Sequence, residues 1–143
     1  MQIFIIGTPY ETAECLDKKR FNKQIIECRQ ILSTLEGKSS TWKNHPCAKQ
    51  YKGHEEWLYR YLDTFIEFNV SRENSRLVSQ KASMYTPEFH VKEYFDQMKR
   101  RLYTKDPEHY QKFSKYGTSD VNWYWNEKTQ SFVKYENGKK LLD

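Results

Sequence analysis

Residues 17–37 read DKKRFNKQIIECRQILSTLEG, and this stretch predicts an amphipathic helix. Asp17 is a suitable N-terminal cap, and Gly37 offers a C-terminal stop. Apolar side chains recur at the spacing of one helical face, which consists of Phe21, Ile25, Cys28, Leu32 and Leu35. Residues three or four apart also share the polar side, which carries Arg20, Lys23, Glu27 and Gln30.

The other segments extend this pattern to a mainly α chain. Residues 1–6 are β-branched and aromatic, and they predict a short strand or an extended arm held by its apolar side chains. From Asn122 onward, the β-prone segments Trp123 to Trp125 and Ser131 to Tyr135 are joined by the polar residues 126–130 and predict a small hairpin. We therefore expect a compact bundle of about four to five helices with an extended N-terminal arm and a small C-terminal β-hairpin. No linker or repeat divides residues 1–143, which predicts one domain.

Three proline positions suggest where further helices begin. Pro46 follows Asn44 and His45, either of which can cap a helix that continues to about residue 69. A shorter helix is predicted over residues 73–83. The segments Thr86-Pro87-Glu88 and Asp106-Pro107-Glu108 have the same form and predict helices that start there.

Composition favours an anionic partner without identifying one. The chain has 24 Lys and Arg against 19 Asp and Glu, a net charge of +5, a pI near 9.0 and 16% aromatic residues. Cations interleaved with aromatic rings suit a surface that neutralises phosphates and stacks on bases. An ordinary solvated surface is the alternative interpretation of the same charge.

The cysteines do not indicate a disulfide framework or a metal site. Cys15, Cys28 and Cys47 are odd in number and lack metal-ligand spacing. Reduced thiols in a cytoplasmic protein are the simplest interpretation. The apolar run at residues 3–6 is too short to span a membrane, and no basic segment precedes it. We expect no cofactor, no metal, no membrane association and no obligate protein partner.

Glu27 is a candidate general acid or base. A carboxylate close to Arg20, Lys23 and the apolar stripe of its helix can be partly desolvated. The structural alternative is a surface ion pair with Lys23, four residues earlier, and such pairs are common.

Two histidines near the predicted second helix are candidates for DNA contact. His45 precedes Pro46, and His54 follows Lys52 and Gly53. If one helix contains both positions, their side chains point in the same general direction and can share a groove. A capping His45 and a half-buried His54 are the structural alternatives. Two histidines do not complete a metal-ligand set.

A basic cluster precedes the aromatic hairpin. Its members are Arg100, Arg101, Lys105, Lys112 and Lys115. These cations could follow a phosphate backbone while one of the hairpin rings of Trp123, Tyr124 or Trp125 stacks on a base. In the alternative interpretation, which is equally acceptable, the rings belong to the core and the cations are solvated.

Taken together, four short blocks resemble one family. They are Leu16 to Arg20 with Glu27 downstream, Lys43-Asn44-His45-Pro46, Tyr51 to Glu55, and Arg101 to Tyr110. In this order they are similar to the pyrimidine-dimer DNA glycosylases of the endonuclease V type, which occur in phages and bacteria. The resemblance extends from the amino terminus to about Phe113 and implies a protein that acts in the bacterial or host cytoplasm.

The resemblance implies a mainly helical enzyme that binds damaged duplex DNA, kinks it and displaces a base. In such enzymes the amine at the chain start attacks the sugar carbon of the damaged nucleotide. An imine forms, which permits strand scission, and a helical glutamate assists. Glu27 is the matching position here. Phosphate or groove contacts would fall to Arg20, Lys23, Asn44, His45, Lys52, His54, Arg100, Arg101 and Lys105.

The chemistry of an α-amine suits this role, because its ordinary pKa of about 7.7 to 8.0 leaves a useful neutral fraction at physiological pH. Better-known members carry a small second residue, so that the initiator is removed. Gln2 is large and is expected to retain Met1, and Ile26 stands where an arginine is frequent. Either the Met1 amine is the nucleophile or lyase activity is reduced.

Two other hypotheses for the function of the chain are kept. One is a DNA-binding module without catalysis, and the other is a glycosidase for free nucleosides or nucleotides.

Overall fold

The computed structural model describes residues 1–141 and is mainly helical, with a small antiparallel sheet near the carboxyl end. The predicted fold class is confirmed. The chain forms two compact units, residues 1–88 and the residues from 89 onward, and each is described by itself. The single domain stays a prediction.

The first unit contains five α-helices among its described residues, and a 3-10 turn at Ser83–Tyr85 follows the last of them. They are α1 (Pro9–Cys15), α2 (Lys18–Leu35), α3 (Pro46–Gln50), α4 (Glu55–Phe68) and α5 (Arg72–Ala82). Helix α4 packs against α1, α2 and α5. It therefore lies at the centre of this unit, and its rings Trp57, Tyr61 and Phe65 are almost fully buried.

Helix α2 begins and ends where the sequence predicts. The Asp17 carboxylate accepts the Arg20 N–H, and Gly37 adopts a φ of +77° beyond the last turn. The buried face differs in detail from the predicted stripe, because Gln24 and Glu27 are buried with Phe21 and Cys28.

Helix α1 is missing from the sequence prediction, although its start signal is present. Thr8 accepts the N–H of Glu11, and the Glu11 carboxylate in turn accepts the N–H of Thr8. This reciprocal arrangement is a capping box, and Pro9 occupies the first helical position. The Gly7-Thr8-Pro9 segment therefore begins a helix as well as ending the arm.

The prediction of one continuous helix after Pro46 is wrong. Helix α3 ends at Gln50, and Gly53 has a φ of +87°, a left-handed conformation that ends a helix. Helix α4 then begins at Glu55, with His54 as its N-cap. His45 and His54 therefore stand at the starts of two different helices, and the groove expected from a shared helix has no basis.

The second unit begins with α6 (Lys92–Lys105), which starts later than Thr86-Pro87 predicts. Thr86 ends the preceding 3-10 turn, and its hydroxyl donates to the Ala82 carbonyl oxygen instead of capping a helix. The Asp106-Pro107 prediction is also inexact. Asp106 accepts the His109 N–H in a turn, and a 3-10 helix follows at Gln111–Tyr116.

The predicted hairpin is confirmed and gains a short third strand. Strands β1 (Val121–Asn126) and β2 (Ser131–Glu136) are antiparallel, with Tyr124 opposite Val133. Asn137 and Gly138, both at positive φ, turn the chain into β3 (Lys139–Lys140). Tyr124 is buried, and the rings of Trp123 and Trp125 lie against Phe132. These contacts favour a packing role for the hairpin rings.

Arg101 connects α6 to the start of β1. Its Nε donates to Asn122 Oδ1 at 2.9 Å, and its NH1 donates to the Ser119 carbonyl oxygen at 2.8 Å. Burial, the main cause, lowers the pKa of this guanidinium. Hydrogen bonds of a charged donor contribute more than neutral ones, so this side chain is a structural link as well as a cation.

We therefore predict that Arg101→Met lowers the free energy of unfolding by about 2 kcal/mol, because two oxygens lose a charged donor. Lys140→Met, at an exposed position in β3, should change it by less than about 0.5 kcal/mol. Urea unfolding of both variants tests this. Equal stability of the two would show that the Arg101 hydrogen bonds contribute nothing.

Candidate active site

Within residues 1–141, the N-terminal arm, residues 1–6, is paired with no strand, and side chains take the place of one. The Gln24 amide Nε2 donates to the Gln2 carbonyl oxygen at 2.9 Å, and Gln24 Oε1 accepts the Phe4 N–H at 2.7 Å. One side-chain amide thus pairs with the arm as a peptide group of a neighbouring strand would. At the end of the arm, the Ile6 N–H donates to the Thr12 hydroxyl at 3.1 Å.

Tyr61 of α4 also contributes to the hydrogen bonds between the arm and Gln24. Its hydroxyl lies 2.8 Å from the Phe4 carbonyl oxygen and 2.9 Å from Gln24 Oε1, and its single proton serves both acceptors. Tyr61 is fully buried, as are Ile3 and Ile5 of the arm. The arm is therefore fixed by both hydrogen bonds and apolar burial.

The Glu27 carboxylate lies beside the start of the arm and is only 8% exposed. Its Oε2 accepts the Gln2 N–H at 3.3 Å and the Gln24 amide N–H at 3.3 Å. Its Oε1 lies 3.8 Å from Nζ of Lys23, a side chain that is largely exposed. The predicted ion pair between Lys23 and Glu27 is present, but its N···O distance is long. It involves only the solvent-facing oxygen of a buried carboxylate.

The terminal amine lies close to this carboxylate. Three covalent bonds of about 1.3 to 1.5 Å join the Met1 nitrogen to the Gln2 nitrogen, so the amine is within roughly 8 Å of Glu27 Oε2. Met1 is half-buried. The docking of residues 2–6 thus restricts the amine to the neighbourhood of a carboxylate.

His45 and Cys47 belong to the same neighbourhood. The Ile3 N–H donates to the Cys47 sulfur, and burial raises the pKa of that thiol to about 12, so the thiol is neutral. The Cys47 N–H donates to Nδ1 of His45 at 3.0 Å. Burial, and secondarily the positive charge of the terminal amine, lower the pKa of His45. A neutral ring whose Nδ1 accepts must carry its proton on Nε2.

These residues lie within the part of the chain that resembles a known family. A family model described as pyrimidine dimer DNA glycosylase matches residues 1–78, more than half of the chain. The chain belongs to this family. Membership implies a DNA substrate and a place in DNA repair. Searches of curated proteins and of solved structures found no match.

The glycosylase match includes the arm, Glu27, His45 and Tyr61, and the block from Arg101 to Tyr110 lies beyond it. Of the residues predicted from the sequence, the structure brings together Met1, Gln2, Lys23, Glu27 and His45. The predicted catalytic and DNA-contacting roles of these residues stay predictions.

Other predicted contacts of the first unit lie on the surface or at helix starts. Arg20 is paired with Asp17 at 3.2 Å, in the first turn of α2. Asn44 and Lys52 are exposed. His54 is half-buried, and its N–H donates to the Tyr51 carbonyl oxygen.

The cations of the second unit that were predicted to contact DNA differ in exposure and in their hydrogen bonds within the protein. Arg100 donates to the Tyr116 carbonyl oxygen and to Gln97, and Arg101 is buried. Lys105 is exposed. An open polar depression is lined by Arg101, Thr104, Lys105, Asp120, Glu136 and Asn137. Its two carboxylates offset the cations, so any phosphate contact here would depend on Lys105 and the remaining N–H groups of the arginines.

Sequence reasoning did not identify Gln24 or the hydroxyl of Tyr61 as parts of this site. Gln24 does carry a signal, because it is a polar residue three after Phe21 and four before Cys28, in the middle of a buried stripe. A polar side chain at such a position requires a hydrogen-bond partner. The sequence does not show that this partner is the arm.

Two further observations apply to the described residues. Nowhere in residues 1–141 do three or more His, Cys, Asp or Glu side chains gather as a metal site would require. Over the same residues, every helix is too short or too polar to cross a membrane.

We predict that His45→Ala lowers the free energy of unfolding by about 1 kcal/mol, because α3 loses its cap. His45→Asn should be the more stable variant, since asparagine caps well. The measurement is urea unfolding at pH 7.5. An asparagine variant no more stable than the alanine variant would contradict the capping role.

The same variants should differ in pH dependence. The folded-state pKa of His45 lies below its ordinary value of 6.5, so its contribution to stability is present above pH 6.5 and is lost as pH falls through the folded pKa. We expect His45→Asn to lose less stability than the wild type between pH 7 and pH 5. Parallel loss in both proteins would assign the acid sensitivity to other groups.

Proposed function

We propose that this chain is a DNA N-glycosylase with associated abasic-site lyase activity, and that its N-terminal amine is the nucleophile. The observation that supports this best is the docking of the arm, which keeps the amine within roughly 8 Å of a buried carboxylate. Buried carboxylates are costly, so their presence next to a nucleophile is more typical of a reaction site than of a structural pair.

The chemistry follows from these two groups. The neutral amine attacks C1′ of the damaged nucleotide, the new N–C1′ bond forms, and the bond from C1′ to the base breaks with its electron pair on the base. Loss of one amine proton and cleavage of the C1′–O4′ bond, which opens the sugar ring, give a cationic imine, and O4′ takes up a proton. Loss of a C2′ proton then allows elimination, in which the C3′–O3′ bond breaks with its electron pair on the departing 3′ phosphate. In its carboxylate form, Glu27 stabilises the cationic imine. In its protonated form, it assists the opening of the sugar ring.

Glu27 suits either form of the chain start. With Met1 in place, the Gln2 N–H is an amide that donates to Glu27 Oε2 at 3.3 Å, and the Met1 amine lies one residue further. If Met1 is removed, the same Gln2 nitrogen becomes the amine and is already at hydrogen-bond distance from the carboxylate. A mass spectrum of the intact chain identifies which form reacts.

We also propose that the DNA contacts of the first unit fall to Arg20, Lys23, Asn44, His45, Lys52 and His54, and those of the second unit to Arg100, Arg101 and Lys105. Neutralised phosphates release counterions, so affinity should fall steeply with salt. A glycosidase for free nucleotides would bind long DNA weakly and with little dependence on salt. A measurement of affinity at two salt concentrations separates the two classes.

The decisive prediction concerns covalent trapping. Borohydride should convert the imine into a stable covalent complex between the wild-type chain and a duplex oligonucleotide that carries a thymine dimer. A chain whose terminal amine has been blocked should give no complex. If the wild-type chain forms no complex on either a dimer or an abasic duplex, the protein is a binding module or a small-nucleotide glycosidase.

Glu27→Gln tests the second group. Glutamine keeps an acceptor for the Gln2 N–H but cannot exchange protons, so we expect turnover to fall by roughly 100-fold or more while DNA affinity stays within a few-fold. Glu14→Gln, at an exposed position of α1, is the matched control and should retain full activity. Unchanged turnover in Glu27→Gln would remove this carboxylate from the mechanism.

A further inference from the structure

The solvent face of α2 has one unusual member. The exposed side chains of this helix, all of which the structure describes, are Lys18, Lys19, Asn22, Lys23, Ile26, Arg29 and Gln30. The face contains four cations, no carboxylate and a single apolar side chain. Such a face is complementary to a phosphate backbone everywhere except at Ile26.

Ile26 occupies the centre of this face. Lys19, Asn22 and Lys23 precede it by three to seven residues, and Arg29 and Gln30 follow it by three and four, so all lie along one stripe. Ile26 is 56% exposed. An aliphatic side chain gains nothing from a phosphate and remains in water in the free protein.

Ile26 also lies next to the reaction site. It directly precedes Glu27, so the two Cα atoms are about 3.8 Å apart. Lys23, whose Nζ lies 3.8 Å from Glu27 Oε1, marks the solvent edge of that carboxylate, and Ile26 follows one turn later on the same side. An object that contacts Ile26 from solvent therefore lies close to Glu27.

Single exposed apolar residues are ordinary on protein surfaces, and the surroundings of Ile26 distinguish it from the others. Leu77 of α5 is 49% exposed, but its helix face carries Glu73 four residues before it and Lys81 four residues after it. Such mixed charge does not favour a phosphate backbone. Ile26 combines exposure, cationic or neutral neighbours on the exposed face of its helix, and proximity to Glu27.

We propose that Ile26 is a wedge that α2 inserts into the base stack of the bound duplex. The flanking cations hold the two sides of the groove, and the apolar side chain separates neighbouring bases, so that a base leaves the stack near the amine and Glu27. Apolar side chains inserted between base steps act in this way in other DNA-bending proteins. This inference deepens the proposed function and depends on it for the identity of the displaced nucleotide.

The test compares Ile26→Ala with Leu77→Ala on two substrates. On a duplex with a thymine dimer, Ile26→Ala should lower the rate by roughly 10- to 100-fold, because unstacking loses its apolar partner. On a single-stranded oligonucleotide with an abasic site, which has no stack to open, borohydride trapping should stay near wild type. Leu77→Ala should match wild type on both substrates. An equal loss on both substrates would assign Ile26 to packing or chemistry and overturn the wedge.

A binding measurement keeps the wedge testable even if the amine chemistry fails. 2-Aminopurine placed next to the dimer becomes brighter when it is unstacked, whether or not a bond is cut. Wild type and Ile26→Met should raise its fluorescence, and Ile26→Ala and Ile26→Lys should not, although the added cation of Ile26→Lys should keep or strengthen binding. Fluorescence that rises equally with all four proteins would overturn the proposal. Unstacking without trapping would instead contradict the proposed function alone.

Discussion

The hydrogen bonds between the Gln24 side-chain amide and the arm are the interaction on which the rest of the first unit's site depends. An extended segment without a neighbouring strand would leave its buried N–H and C=O groups unpaired, at a cost of about 1 to 3 kcal/mol each. Gln24 pairs with Gln2 and Phe4 at once and also contacts Glu27 and Tyr61. The same amide therefore fixes the path of the arm and the position of the carboxylate.

Local signals predicted much of the helical structure. Asp17 and Gly37 limit α2 because capping and left-handed backbone are properties of single residues. The same reasoning failed at Gly53, where a helical pattern of apolar residues on both sides concealed a break. It also failed at Thr86, whose hydroxyl bonds backwards to Ala82. A sequence pattern shows that a residue is able to cap a helix, and only the surrounding fold determines whether it does so.

The site was less predictable than the fold, for a physical reason. The neighbours of Glu27 in the sequence made it a candidate acid or base, but they left a surface ion pair with Lys23 as the alternative, and the resemblance gave it a specific role. Its burial arises from the arm, which is separated from it by the whole of α1 and the first half of α2. The role of Gln24 depends on the same long-range contact. Periodicity reports which face of a helix is covered, and it does not report which segment covers that face.

The hydrogen bonds of the arm also determine when the arm can dock while the chain is being synthesised. Phe4 is made long before Tyr61, and 57 residues separate the two partners. While the ribosome is still translating α4, the beginning of the chain has no complete set of acceptors and donors to dock against. Contacts between distant residues form late because the intervening loop must close first. The N-terminal arm, although synthesised before α4, is thus among the last parts of the candidate site to be assembled.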